Sequence, residues 1–120
     1  MIRGQKRFMK PADFRRICLS LPEASESAHM SHPDFRVGGK IFATLGYPDD
    51  NFGAVMLSPE DQAKFMEANP AVFTPAKGAW GERGSTVVRL DAVDATVLEQ
   101  AIGLAWRKRA PGRLTMKDKK

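Results

Sequence analysis

The spacing of apolar residues changes along the chain, and each change predicts an element. Phe14, Ile17, Cys18 and Leu21 recur at i, i+3, i+4 and i+7, which is one face of a helix. Pro11 suits a first helical turn and Pro22 blocks continuation, so a helix is predicted over about Pro11–Leu21. Shorter strand-like runs follow: "ESAHM", "DFRV", "KIFATLGY" and "FGAVML", separated by "SHP", "GG" and "PDDN". Gly38-Gly39 permits the positive φ angles of a two-residue hairpin turn. Such a turn sets Val37 opposite Lys40, Arg36 opposite Ile41 and Phe35 opposite Phe42. The last would be a cross-strand aromatic pair.

"SPEDQAKFMEANP" has a helix start built in. Ser58 can cap, Pro59 fits the first position, and Glu60 and Asp61 complement the helix dipole. Pro70 ends it, giving a helix over about Pro59–Asn69. "AVFTPAKGAWGERG" is rich in glycine and proline and reads as a flexible loop presenting Trp80, before the strand "STVVRLD". In "DATVLEQAIGLAWRKR", Val97, Leu98, Ala101, Ile102, Ala105 and Trp106 make a broad buried stripe. The Arg/Lys cluster at the end of that helix suits the dipole. "APGRLTMKDKK" reads as a disordered tail. Helix, several strands, helix, strand, helix is an α+β order, with helices expected on one face of an antiparallel sheet.

At 120 residues the chain has the size of one domain, expected over residues 1–109 with a basic extension at 1–9 and a basic tail at 110–120. No apolar run has the length of a membrane span, and "MIRGQKRFMKPADF" lacks a signal peptide's apolar segment. The single cysteine, Cys18, rules out an internal disulfide framework and points to a reducing cytoplasm. The formal charge of +5 hides an asymmetry. Residues 17–106 hold six Lys/Arg against twelve Asp/Glu, so the excess positive charge lies in the two ends.

Catalytic patterns are missing from this text. His29 and His32 form H-x-x-H beside Asp34, but a strand and a turn would point them apart, and no further Cys or His completes a metal set. Cys18 lies on the apolar stripe with no histidine placed beside it, as a buried free thiol would. The glycines of "GAWGERG" match neither a dinucleotide fingerprint nor a P-loop, and a strand rather than a helix is expected after them. Trp80, between Lys77 and Arg83, is the chemically distinctive residue. An aromatic ring among cations can stack on a base and hold phosphate.

One stretch resembles a known family. His32, Pro33, Phe35, Arg36, Val37, Gly39, Lys40, Ile41, Phe42 and Ala43 carry H-P-x-F-R-V-x-G-K-I-F-A, with "LPEASES" before it and a Trp-containing loop, a strand and a closing helix after it. This is similar to the MmcQ/YjbR family over about Pro11–Arg107. The resemblance implies a small bacterial protein with a fold like the bacterial frataxin homologue, described as a double-wing DNA-binding motif, with no agreed active site, metal or cofactor. The frataxin-like iron role does not carry over, because the first helix shows Arg15 and Arg16 instead of an acidic ridge. The expectation is a non-enzymatic DNA-binding domain using Arg36, Lys40, Lys77, Trp80 and Arg83. The rival is a protein- or small-ligand-binding module using the surface of the Phe73–Trp80 loop.

Overall fold

Gly38 and Gly39, at φ +60° and +79°, close the hairpin where the sequence asks for a turn. The computed structural model describes residues 9–29 and 32–116; residues 1–8 of the basic extension expected over 1–9, Met30, Ser31 and residues 117–120 lie outside that description, while Met9 is buried and donates its N–H to Leu90 O. In it, Val37 pairs with Lys40 and Arg36 with Ile41, as expected. The register then shifts, and Phe35 pairs with Ala43 rather than Phe42. The expected Phe35–Phe42 pair is thus corrected by a β-bulge. Phe42 and Ala43 are consecutive and both fully buried, which simple strand alternation forbids; the extra residue turns both inward.

The elements are α1 (Pro11–Leu19), β1 (Ser25–His29), β2 (His32–Val37), β3 (Lys40–Leu45), β4 (Phe52–Met56), α2 (Pro59–Ala68), β5 (Phe73–Pro75), α3 (Gly78–Glu82), β6 (Ser85–Arg89), α4 (Ala95–Arg109) and α5 (Gly112–Met116). The strands form one antiparallel sheet in the order β1-β2-β3-β4-β6-β5. β5 was not foreseen. It is a three-residue edge strand containing Pro75, and an edge is where a strand tolerates proline.

Two rows of paired residues define the two faces. Phe35, Ala43, Val55 and Thr86 run across β2, β3, β4 and β6, and all are fully buried under the helices. Ser27, Asp34, Thr44, Ala54, Val87 and Thr74 cross all six strands on the other face. On the covered side, the Phe14 ring of α1 packs at a tilt against Phe35, centroids 6.1 Å apart, and so close to β4 that a Cβ on Gly53 would lie 2.6 Å from it. Leu98, Ala101, Ile102 and Ala105 of α4 complete this core, and Trp106 donates its indole N–H to Pro22 O at 3.0 Å. A buried phenylalanine such as Phe14 contributes about 3–5 kcal/mol by the usual cost of truncation to alanine. α2 closes the same side, with Phe65 5.1 Å from Phe73. Its Gln62 Nε2 lies 3.0–3.2 Å from Gly81 O, Ser85 O and Thr86 Oγ1.

The segment expected as a disordered tail differs from that reading as far as Met116. Leu114 of α5 is buried, Arg113 donates to both carboxylate oxygens of Glu23 at 2.6 and 2.9 Å, and Pro111 lies against Gly38. Leu114 supplies the buried apolar contact that a disordered tail lacks. Among the described residues, no helix is long and apolar enough to cross a membrane.

Two outcomes follow from this packing. A Cβ on Gly39 meets nothing within 4 Å, so Gly39→Val should cost stability through backbone strain alone. A loss of about 1–3 kcal/mol is expected in denaturant titration, with Gly39→Asn losing less because asparagine tolerates this conformation. Cys18 is fully buried, and burial, then the negative charge of Glu26, push its thiol well above the ordinary range. Labelling of native protein by a thiol reagent should therefore proceed only as fast as the domain opens. Labelling at the rate of a free thiol would show an accessible, reactive cysteine.

Candidate functional site

The face opposite the helices is a shallow trough with aromatic walls. Its floor is Ile41, Thr44, Ala54, Met56, Ser85 and Val87, one or two positions from each central strand. Tyr47, in the β3–β4 loop, and Trp80 stand at its margins, 59% and 67% exposed. His32 meets the Tyr47 ring edge-on, with centroids 6.1 Å apart.

Trp80 is held by a helix, which corrects the reading of "GAWGERG" as a flexible loop. α3 covers Gly78–Glu82, and Arg83 N donates to Ala79 O at its end. Only glycine lets this turn sit so near the sheet. A Cβ on Gly81 would overlap the Ala76 carbonyl, and Gly84, at φ +114°, presses on the Leu57 carbonyl. Gly81 and Gly84 are thus packing glycines.

Three adjoining cavities meet at Trp80. One of about 630 Å³ is lined by Arg36, Lys40, Trp80 and Arg109, beside Tyr47. A second, about 500 Å³, runs over Ala54, Met56 and Val87 to Lys77 and Trp80. The third, about 250 Å³, lies between Trp80, Arg83, Lys108 and Arg109. All five residues singled out in the sequence therefore border one continuous surface. A larger cavity of about 850 Å³ lies on the outer side of α4, but only Glu99 and Arg107 bring charge to it.

The cations of this surface are not equivalent. Arg36 forms a two-pronged pair with Asp34, Nε–Oδ1 2.8 Å and Nη2–Oδ2 3.2 Å, and Asp34 is fully buried. That charge is largely spent inside the protein, since burying the carboxylate is tolerable only with such a partner. Arg109 is the opposite case. Its Nε is buried and has no hydrogen-bond partner among the described residues. Burial, and next the neighbouring Arg109, lower the Lys108 ammonium from its usual pKa. Two like charges are thus held close together at the mouth of one cavity.

Sequence reasoning missed Tyr47, Lys108 and Arg109. The basic pair had an adequate explanation as charges at a helix C-terminus, and nothing in one dimension places that end beside Trp80. Phe73, offered as part of the rival loop surface, is corrected: it is buried on the helix side against Phe65. Among the described residues no group of three His, Cys, Asp or Glu could hold a metal ion.

No curated protein matches the chain. The crystal structure of Deinococcus radiodurans protein DR2400, with a DUF419 domain, is similar in fold, at a TM-score of 0.73 and 19% identity over 92% of this chain and 88% of that one. The YjbR family model matches residues 19–108, the span from the end of α1 almost to the end of α4. On that match, and with the six-stranded α+β fold beneath it, the chain belongs to the YjbR family.

Proposed function

We propose that this domain binds nucleic acid through the open face of its sheet, as a binding module without catalysis. One observation carries the reading. Of the six Lys/Arg in residues 17–106, Lys40, Lys77 and Arg83 line the cavities around Trp80 together with Arg36, which is paired with Asp34, whereas none of the twelve Asp/Glu lines them. Lys108 and Arg109 join them from the end of α4. A net-negative body that gathers its cations on one face focuses positive potential there, and a phosphate backbone is the polymer that rewards it. The DNA-binding expectation carried by the family resemblance agrees with this surface. The rival protein- or small-ligand-binding reading loses Phe73 to the core and keeps only the same trough.

The test separates the body from its ends. Residues 1–8 and 117–120 can be removed, but Leu114 and Pro111 must stay because they pack on the domain. The trimmed chain should still bind a labelled oligonucleotide, single-stranded or duplex, at low salt. Lys40→Ala with Lys77→Ala should weaken it and flatten the plot of log K against log salt by roughly 0.7–0.9 per lost phosphate contact. A trimmed chain that binds neither form would assign any binding by the full chain to its ends.

A further inference from the structure

We infer that the trough takes an unpaired strand, with a base stacked on Trp80 and the adjoining phosphate held by Arg109. This rests on the nucleic-acid reading above and narrows it to one form of the polymer.

Three observations support it. The first is what the open face lacks. A duplex is read in its major groove by an inserted helix or a two-stranded ribbon. α1, α2 and α4 all pack on the opposite face, and α3 and α5 are each only five residues long. The β2–β3 hairpin is no free ribbon either. Its tip is pinned by Pro111, 3.0 Å from a Cβ position on Gly38, and Val37 beside it is buried.

The second is what the face offers instead. Trp80 and Tyr47 hold two largely exposed rings above a floor of Ile41, Ala54, Met56 and Val87. Exposed aromatic rings over an apolar floor suit the flat faces of bases, and those faces are available only when the strand is unpaired.

The third is the position of Arg109. Arg109 lines both the cavity shared with Arg36 and Lys40 and the one shared with Arg83 and Lys108, and Trp80 borders both. A guanidinium matches the geometry and charge of a phosphate, and Arg109 brings one to the wall of both cavities beside Trp80. Trp80 and Arg109 line the same two cavities, so base and phosphate contacts can be made side by side.

The test uses the full chain with a fluorescently labelled oligo(dT) single strand and a blunt hairpin duplex of equal length. The basic ends favour the duplex, whose charge density is higher, so a preference for the single strand has to come from the trough. The expected result is tighter binding of oligo(dT), with quenching of the emission of exposed Trp80; Trp106 is 5% exposed and supplies a constant background. Trp80→Leu should remove the quenching and cut single-strand affinity about five- to hundred-fold. Arg109→Met should also weaken the single strand, and Arg109→Lys should recover only part of the loss. Equal or tighter duplex binding, or unchanged single-strand binding in Trp80→Leu, overturns this inference and leaves the nucleic-acid reading intact. Binding to neither form overturns both.

Discussion

The packing of α1 and α4 on one side of the sheet sets every other property of the molecule. Phe14 packs on β4 at Gly53 and against Phe35, and the stripe from Leu98 to Ala105 covers the neighbouring strands. Each strand presents alternate side chains to opposite faces, so covering one face commits the other to solvent. Thr44, Ala54 and Val87 are therefore side by side on the open face because Ala43, Val55 and Val88 are buried on the covered one. The bulge at Phe42 is the adjustment that lets this happen. Without it, Ala43 would share a face with Asp34, and the row crossing all six strands would be broken at β3.

Charge follows from the same division. Arg36 and Asp34 sit two residues apart on one strand and share the open face, so they meet and neutralise each other. Lys40, Lys77 and Arg83 come from the hairpin turn and the two ends of α3, beyond the reach of any carboxylate that lines the trough. α4 crosses the covered face and delivers Lys108 and Arg109 to the same region. Long-range topology thus gathers positive charge that the sequence spreads over more than seventy positions.

The elements legible in the sequence were those held by local rules. The Gly-Gly turn, the Ser58 cap and the apolar stripes of α1 and α4 each depend on residues within a few positions, and each element formed with boundaries within two residues of those expected. What escaped depends on tertiary contact. β5 exists because Phe73 and Thr74 pair with β6, and α3 forms in a glycine-rich stretch because Gly81 and Gly84 permit close approach to the sheet. α5 is ordered by Leu114 and by the Arg113–Glu23 pair across 90 positions. The five site residues could be named from chemistry alone. That they border one surface, that Arg36 is already paired, and that Arg109 joins them needed three dimensions.

If the cations around Trp80 form the binding surface, ligand meets the open face of the sheet and nowhere else on the body. Backbone amide chemical shifts, followed while an oligonucleotide is added to the full chain, distinguish that face from the rest. Shifts should concentrate at Lys40, Ile41, Thr44, Met56, Trp80, Ser85 and Arg109. Glu99, Gln100 and Gly103, lining the cavity on the outer side of α4, should stay still. Shifts confined to residues 1–8 and 117–120, or centred on that outer cavity, would contradict it.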